Sequence, residues 1–214
     1  MSLSTICADP GSRADERERM VKEQLIPRGI TNQAVLESML TVPRHCFVSK
    51  QFQAAAYDDC PLPIIAGQTI SQPYIVALMA EALKPAKTAK ILEIGTGSGY
   101  AAAVLSRVAT TVYTIERHEV LASDAQTRIK ALKYDNIHLR TGDGTKGWPE
   151  EAPFDGILVS AGAPTIPQSL VDQLKPGGRI VIPVGDKITQ ELLILHKNAD
   201  GKTTMENIGE YSVA

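Results

Sequence analysis

The chain has 214 residues, 43% of them hydrophobic and 21% charged, enough for one domain with a full core. Its net charge of −2 gives no electrostatic case for nucleic acid or for an anionic membrane. No apolar run approaches the roughly 18 residues a membrane span needs, and residues 1–19 lack the apolar core of a secretory signal.

The opening Met1-Ser2-Leu3 reads as a cloning remnant without fold information. Residues 13–25 are charged, with Met20, Val21 and Leu25 on one side, which predicts an amphipathic helix ended by Pro27-Arg28-Gly29. Thr31 or Asn32 can cap a second helix that buries Val35, Leu36, Met39 and Leu40. From 42 to 68 the pattern is irregular, with Pro43, Pro61, Pro63 and Gly67, and a loop of that length in a compact domain is usually functional. A helix follows over 73–83, with Ile75, Leu78, Met79 and Leu83 at helical spacing.

From Lys90 onward strands and helices alternate. Strands are expected at 90–94, 111–116, 136–140, 154–160, 179–184 and 191–197, and helices at 99–108, 119–133 and 167–174. That alternation predicts an α/β fold, a doubly wound and mostly parallel sheet, with an N-terminal helical extension. The expected division is 1–72 as extension and substrate-side loop, and 73–214 as a compact cofactor-binding core. Asp200-Gly201 reads as a hairpin turn, so the last strands are expected to pair antiparallel; an Asp-Gly step in a mobile turn is also prone to isomerise.

The three cysteines, Cys7, Cys46 and Cys60, stand at unrelated spacings that fit neither a disulfide framework nor a zinc site. His45, His118, His138 and His196 show no i,i+4 pairing. No metal is expected, and the compartment implied is a reducing cytoplasm.

The most informative segment is Ile91-Leu92-Glu93-Ile94-Gly95-Thr96-Gly97-Ser98-Gly99, an apolar strand running into a GxGxG turn. Such a turn brings backbone close to a nucleotide-like cofactor. A dinucleotide fingerprint would place its third glycine where Tyr100 stands, so the spacing favours S-adenosylmethionine over NAD. Glu93 is expected to aim its carboxylate at the cofactor's cationic end. Glu116 ends the second strand and can accept both ribose hydroxyls; Asp143, in Gly142-Asp143-Gly144, can take an exocyclic adenine amine. The helix beginning near Gly99 can offer its first amides to the ligand's amino-acid part. Each has a plainer alternative: a tight strand-helix connection, a solvated strand end beside Arg117, and a simple turn.

These residues resemble the protein-L-isoaspartate O-methyltransferases, a class I S-adenosylmethionine-dependent family. The likeness runs over about 20–197, through Arg28-Gly29-Ile30, Val42-Pro43-Arg44, Ala56-Tyr57 with Asp59, Leu62-Pro63-Ile64 and above all Gly67-Gln68-Thr69-Ile70-Ser71-Gln72-Pro73. It continues through the glycine turn with Tyr100, Gly142-Asp143-Gly144, Ala152-Pro153-Phe154-Asp155 and Gln173-Leu174-Lys175-Pro176-Gly177-Gly178-Arg179. The resemblance implies a Rossmann-like methyltransferase fold and methyl transfer from S-adenosylmethionine to the free carboxylate of isoaspartyl residues in damaged proteins, leaving S-adenosylhomocysteine.

It further implies Ser71 as the active-site residue, with Gln68 and Thr69 shaping the mouth. Cofactor contacts are expected at Gln68, Thr69 and Ile70, at Glu93, Gly95, Thr96, Gly97, Ser98 and Gly99, at Glu116 with Arg117, and at Asp143 with Gly144. The alternative for Ser71 is a helix N-cap, since Ser-Gln-Pro is a common start signal. Ile65 replaces a glycine common in the family, which would alter the acceptor groove. The family's closing aromatic-Val-Pro-Leu segment is expected where Glu210-Tyr211-Ser212-Val213-Ala214 stands, so the end is read as short or truncated. Damaged isoaspartyl proteins are the expected partners, without nucleic acid or membrane, and with nothing predicting a dimer a monomer is expected. The rival readings are a methyltransferase with a small-molecule acceptor, an NAD-dependent oxidoreductase, and a cofactor-binding scaffold without catalysis.

Overall fold

The structure, a computed structural model, describes residues 7, 9, 11–186 and 190–211. The segment Ser212-Val213-Ala214 therefore lies outside the described residues. Helix α1 (Ala14–Met20) continues through a π turn over Val21–Leu25 and a 3-10 turn over Ile26–Arg28, and it ends at Gly29, whose φ of 94° suits glycine. Helix α2 (Gln33–Thr41) starts at Asn32, whose side chain accepts from the Val35 amide at 3.1 Å, so Asn32 and not Thr31 is the cap. Glu81 adds a second tie: its Oε1 accepts from the amides of Thr31 (2.9 Å) and Asn32 (2.6 Å). Leu40, expected in the core, is half-buried; the buried fourth position is Ser38, whose hydroxyl donates to the Val104 carbonyl at 2.8 Å.

The irregular stretch that follows holds 3-10 turns at Arg44–Phe47, Lys50–Ala55 and Ile65–Gly67. Two short antiparallel strands, β1 (Leu62–Pro63) and β2 (Thr69–Ile70), close the last of these into a small hairpin. Helix α3 (Pro73–Ala82) leads into the main sheet, with Pro73 at its first turn where no amide is needed.

The sheet contains β3 (Lys90–Ile94), β4 (Thr111–Glu116), β5 (Ile137–Thr141), β6 (Phe154–Val159), β7 (Leu174–Gly185), β8 (Gln190–Lys197) and β9 (Thr203–Glu210). Helices α4 (Tyr100–Val108), α5 (Glu119–Ala131) and α6 (Gln168–Asp172) connect them. The order is β5-β4-β3-β6-β7-β8-β9, parallel from β5 to β7 and antiparallel at both later pairings. Strand order reverses between the parallel neighbours β3 and β6, with β4 and β5 laid out on one side and β6 and β7 on the other, so the crevice for a ligand opens at their carboxyl ends.

Successive residues along each central strand point to opposite faces and enter two different cores. Ile91, Leu158 and Val181 join a cluster that also contains Met20, Leu25, Val35, Met39 and Phe47 from the N-terminal layer. Leu92, Ile157, Ile180 and Ile182 join the opposite cluster, under α6. The N-terminal helices thus share one continuous core with a face of the sheet.

Three differences from the sequence reading have plain causes. β7 begins at Leu174, where a strand was expected only from 179: Gly178 lets it run beside β6, since a Cβ there would stand 2.8 Å from the Asp155 carbonyl. β9 was not predicted as a strand because, as the sheet's edge, it is mostly exposed and lacks an apolar alternation; the turn over 198–202 forms the expected hairpin, with the Asn198 amide donating to the Lys202 carbonyl at 2.7 Å. The cysteines correct the expectation outright: Cys7 and Cys46, 39 residues apart in sequence, form a disulfide, and only Cys60 among them is free. Sequence spacing carries no signal for that pairing, because it forms where two segments distant in the chain meet. Among the described residues no helix is long and apolar enough to cross a membrane.

Replacing Asn32 by Ala should lower the unfolding free energy by about 1 kcal/mol. Urea unfolding would show it as a lower midpoint with an unchanged slope.

Candidate active site

The carboxyl ends of β3, β4, β5 and β6 meet at one edge of the sheet, and each contributes a loop to a single cleft. After β3 the chain turns through Gly95, Gly97 and Gly99, with φ of 92°, 54° and 88°. Only glycine takes three such values in five residues without strain, and the absent side chains leave backbone exposed to a ligand. The Gly95 amide donates to the Ile115 carbonyl at 2.8 Å, which sets the loop against β4.

Glu116 ends β4 and is only 4% exposed, so it is not a solvated strand end. Its Oε2 accepts from the Gly97 amide and its Oε1 from the His118 amide, both at 2.9 Å. A carboxylate offers about four lone-pair positions, so each oxygen retains capacity for one more donor, such as a ribose hydroxyl. Asp143 lies exposed after β5. Both of its hydrogen bonds fall on Oδ1, from the Thr145 amide (3.0 Å) and hydroxyl (2.7 Å), and these bonds hold its carboxyl below the usual aspartate range. It caps the 3-10 turn over Gly144–Lys146. Gly144 is required there for space, because a Cβ would sit 2.3 Å from Ile94 Cγ2.

The cleft has two lobes of about 610 Å³ each that share Gly95, Arg117, Ala161 and Gly162. Gln68, Thr69, Ile70, Ser71, Thr96, Gly97, Ser98 and Glu116 line one lobe. Asp143, Gly144, Thr145, Pro167, Leu170 and Ile182 line the other, which has an apolar wall. Ser71 is half-buried, and among the described residues its hydroxyl has no hydrogen-bond partner. The helix-cap alternative fails: the cap position of α3 belongs to Gln72, which makes no side-chain cap bond and instead donates from Nε2 to the Asp59 carbonyl at 3.0 Å. Thr69, two residues before Ser71, carries a buried Oγ1 without a partner. That atom is closed off from solvent, so Thr69 contributes to the cleft wall without presenting its hydroxyl to the cavity. The amide of Tyr100, at the start of α4, is already taken by Ser98 Oγ at 3.3 Å.

Two predicted contacts do not line the cleft. Gly99 sits at the start of α4 and packs toward Ala125 of α5. Glu93, expected to aim at the cofactor, is fully buried beneath the loop. Its Oε2 accepts from Thr114 Oγ1 at 2.6 Å, Thr114 Oγ1 lies 2.6 Å from Thr96 Oγ1, and Ser160 Oγ lies 3.4 Å from Oε1. Burial, with Glu116 adding repulsion, raises its pKa to about 8, so it is protonated at neutral pH. Ser160, Ala161 and Gly162 line the cleft but were missed from sequence, although they follow β6 at the same strand end that singled out Glu116 and Asp143. His118 and Leu121, at the start of α5, carried no motif.

A family model described as protein-L-isoaspartate(D-aspartate) O-methyltransferase matches residues 15–212. A protein-L-isoaspartate O-methyltransferase from Pelotomaculum thermopropionicum is 64% identical over 201 residues, covering 94% of this chain and 88% of that protein. Among solved structures, one named protein-L-isoaspartate O-methyltransferase superposes with a TM-score of 0.83 at 30% identity, over 91% of this chain and 64% of that longer one. A Plasmodium falciparum structure described under the same name, in complex with S-adenosyl-L-homocysteine, superposes with a TM-score of 0.76 at 26% identity, over 92% of this chain and 98% of that one.

The protonated Glu93 has a measurable consequence. Its folded pKa lies above the unfolded value of 4.5, so between pH 4.5 and about 8 unfolding releases a proton and stability falls as pH rises. Glu93→Gln keeps the neutral shape and removes that titration. The variant should match the parent near pH 5 and melt several degrees higher near pH 7.5; calorimetric scans at the two pH values would check it.

Proposed function

The chain belongs to the protein-L-isoaspartate(D-aspartate) O-methyltransferase family, and from that membership we infer that it transfers a methyl group from S-adenosylmethionine to the free carboxylate of isoaspartyl residues in damaged proteins and peptides. The single observation that carries this reading within the cleft is the pairing of two features. A buried carboxylate, Glu116, has unused acceptor capacity beside a glycine loop, and Ser71, whose hydroxyl has no partner among the described residues, lines the same lobe.

The residues present fit the cofactor. Glu116 would hold the ribose hydroxyls, and the exposed glycine backbone would approach the amino-acid portion. Asp143, with Oδ2 unused, would accept from the adenine amine above the apolar wall of Leu170 and Ile182. When bound, S-adenosylmethionine supplies an electrophilic methyl group on a sulfonium sulfur.

The acceptor carboxylate has an ordinary pKa near 4 and is ionised at neutral pH. No general base is required, which agrees with Glu93 lying protonated beneath the loop and Glu116 being occupied by two backbone amides. The work left to the protein is alignment and exclusion of water, and effective molarity supplies most of the rate. Ser71 donates to the acceptor carboxylate and fixes its direction of approach. The hairpin over 62–70 leads directly into Ser71 and brings Ile64 close to Gly97.

The test is transfer of labelled methyl from S-adenosylmethionine to two peptides that differ only in an isoaspartyl or an aspartyl linkage. Label on the isoaspartyl peptide alone is expected, and label on neither, with retained cofactor binding, would overturn the substrate assignment. Ser71→Ala should reduce turnover by about 10- to 100-fold. Its S-adenosylhomocysteine affinity and melting temperature should stay near those of the parent, by calorimetry and thermal melting.

A further inference from the structure

The 3-10 turn Arg44–Phe47 faces two ways. Arg44 places its guanidinium 4.9 Å from the Tyr100 ring centroid, and Phe47 meets the same ring edge-on at 5.6 Å. Tyr100 lines the cleft directly after the glycine loop. The other two residues of the turn, His45 and Cys46, hold the N-terminal segment: Cys46 by its disulfide to Cys7, and His45 by Nε2 against the Asp9 carbonyl at 3.3 Å. Cys7, His45 and Cys46 are buried, and their ligand-capable atoms lie within 4.8 Å of one another.

We propose that Cys7–Cys46 is a thiol–disulfide site through which a dithiol reductant loosens the N-terminal segment and, through the Arg44–Phe47 turn, the seat of Tyr100 in the cleft. In the reaction a thiolate of the reductant attacks one sulfur, the Cys7–Cys46 bond breaks, and the other sulfur leaves as a thiolate that takes a proton. The reductant's second thiol then closes its own disulfide and releases the second protein thiol. Two electrons and two protons pass to the protein. The proton comes from solvent, because both ring nitrogens of His45 are occupied: Nε2 donates to the Asp9 carbonyl and Nδ1 accepts from the Tyr57 hydroxyl at 2.6 Å. Apart from the disulfide, the described polar contacts of Asp9 run to Gly11, Ser12 and His45. The cross-link otherwise restrains a long unfolded loop, which is where a disulfide's stabilisation arises.

The experiment uses the full chain before and after dithiothreitol, with thiols counted under denaturing conditions. One thiol before reduction and three after are expected. Reduction should lower the melting temperature by about 5–10 °C in the parent and in Cys60→Ser. It should have no effect on Cys7→Ser, which should already melt at the reduced value. Affinity for S-adenosylhomocysteine should fall about threefold or more on reduction. Three thiols in the protein as purified in air, or an unchanged melting temperature on reduction, would overturn the proposal. So would stoichiometric zinc retained by the reduced protein at the oxidised melting temperature. Thiol count and melting do not depend on methyl transfer, so absence of cofactor binding would count against the functional reading and leave this test intact.

Discussion

Glu116 accepting from the Gly97 amide is the contact on which the cleft depends. It joins the end of β4 to the turn after β3 and fixes the backbone of a loop that has almost no side chains of its own to pack. A glycine loop carries a large conformational entropy cost on ordering, and a buried charge-assisted bond offsets part of it. The same carboxylate holds the His118 amide and so sets the start of α5. One side chain therefore positions three segments of the cleft wall and still presents oxygen to a ligand.

Beneath that loop lies a second polar layer. The chain Thr96, Thr114, Glu93, Ser160 crosses from the β3 turn through β4 to the end of β6, entirely inside the protein except where Thr96 and Ser160 reach the cleft. An ionised carboxylate there would lie close to Glu116 without a cation. Protonation removes that repulsion and turns Glu93 into a hydrogen-bonding strut between the two strands that flank the crevice. The two glutamates of the site thus take different roles from their environments: one accepts from amides at the cleft, the other is neutral and bonded to hydroxyls beneath it.

The N-terminal layer is part of the same body. Its helices enter the core on one face of the sheet, and its Arg44–Phe47 turn packs on Tyr100. Arg44 is fully buried: its Nε donates to the Ala56 carbonyl at 2.8 Å, its terminal nitrogens have no hydrogen-bond partner, and burial lowers its pKa to about 10. It remains charged at neutral pH, and the Tyr100 ring face is its compensating partner. That arrangement makes the floor of the cleft sensitive to whatever holds the turn in place.

The sequence by itself determined the local features. Alternating apolar runs set the strands, the proline and glycine positions set most helix ends, and the GxGxG spacing with Glu116 and Asp143 at successive strand ends marked the cofactor side of the cleft. Those properties depend on residues near one another in the chain, so pattern and spacing reveal them. Tertiary structure decided what needed distant segments to meet: the strand order that places Ser160 beside Glu93, the burial that turns Glu93 from a cofactor contact into a neutral strut, and the release of Ser71 from helix capping. It also paired Cys7 with Cys46 across 39 residues. Burial and partnership are properties of the assembled core, and neither is encoded in any one window of the chain.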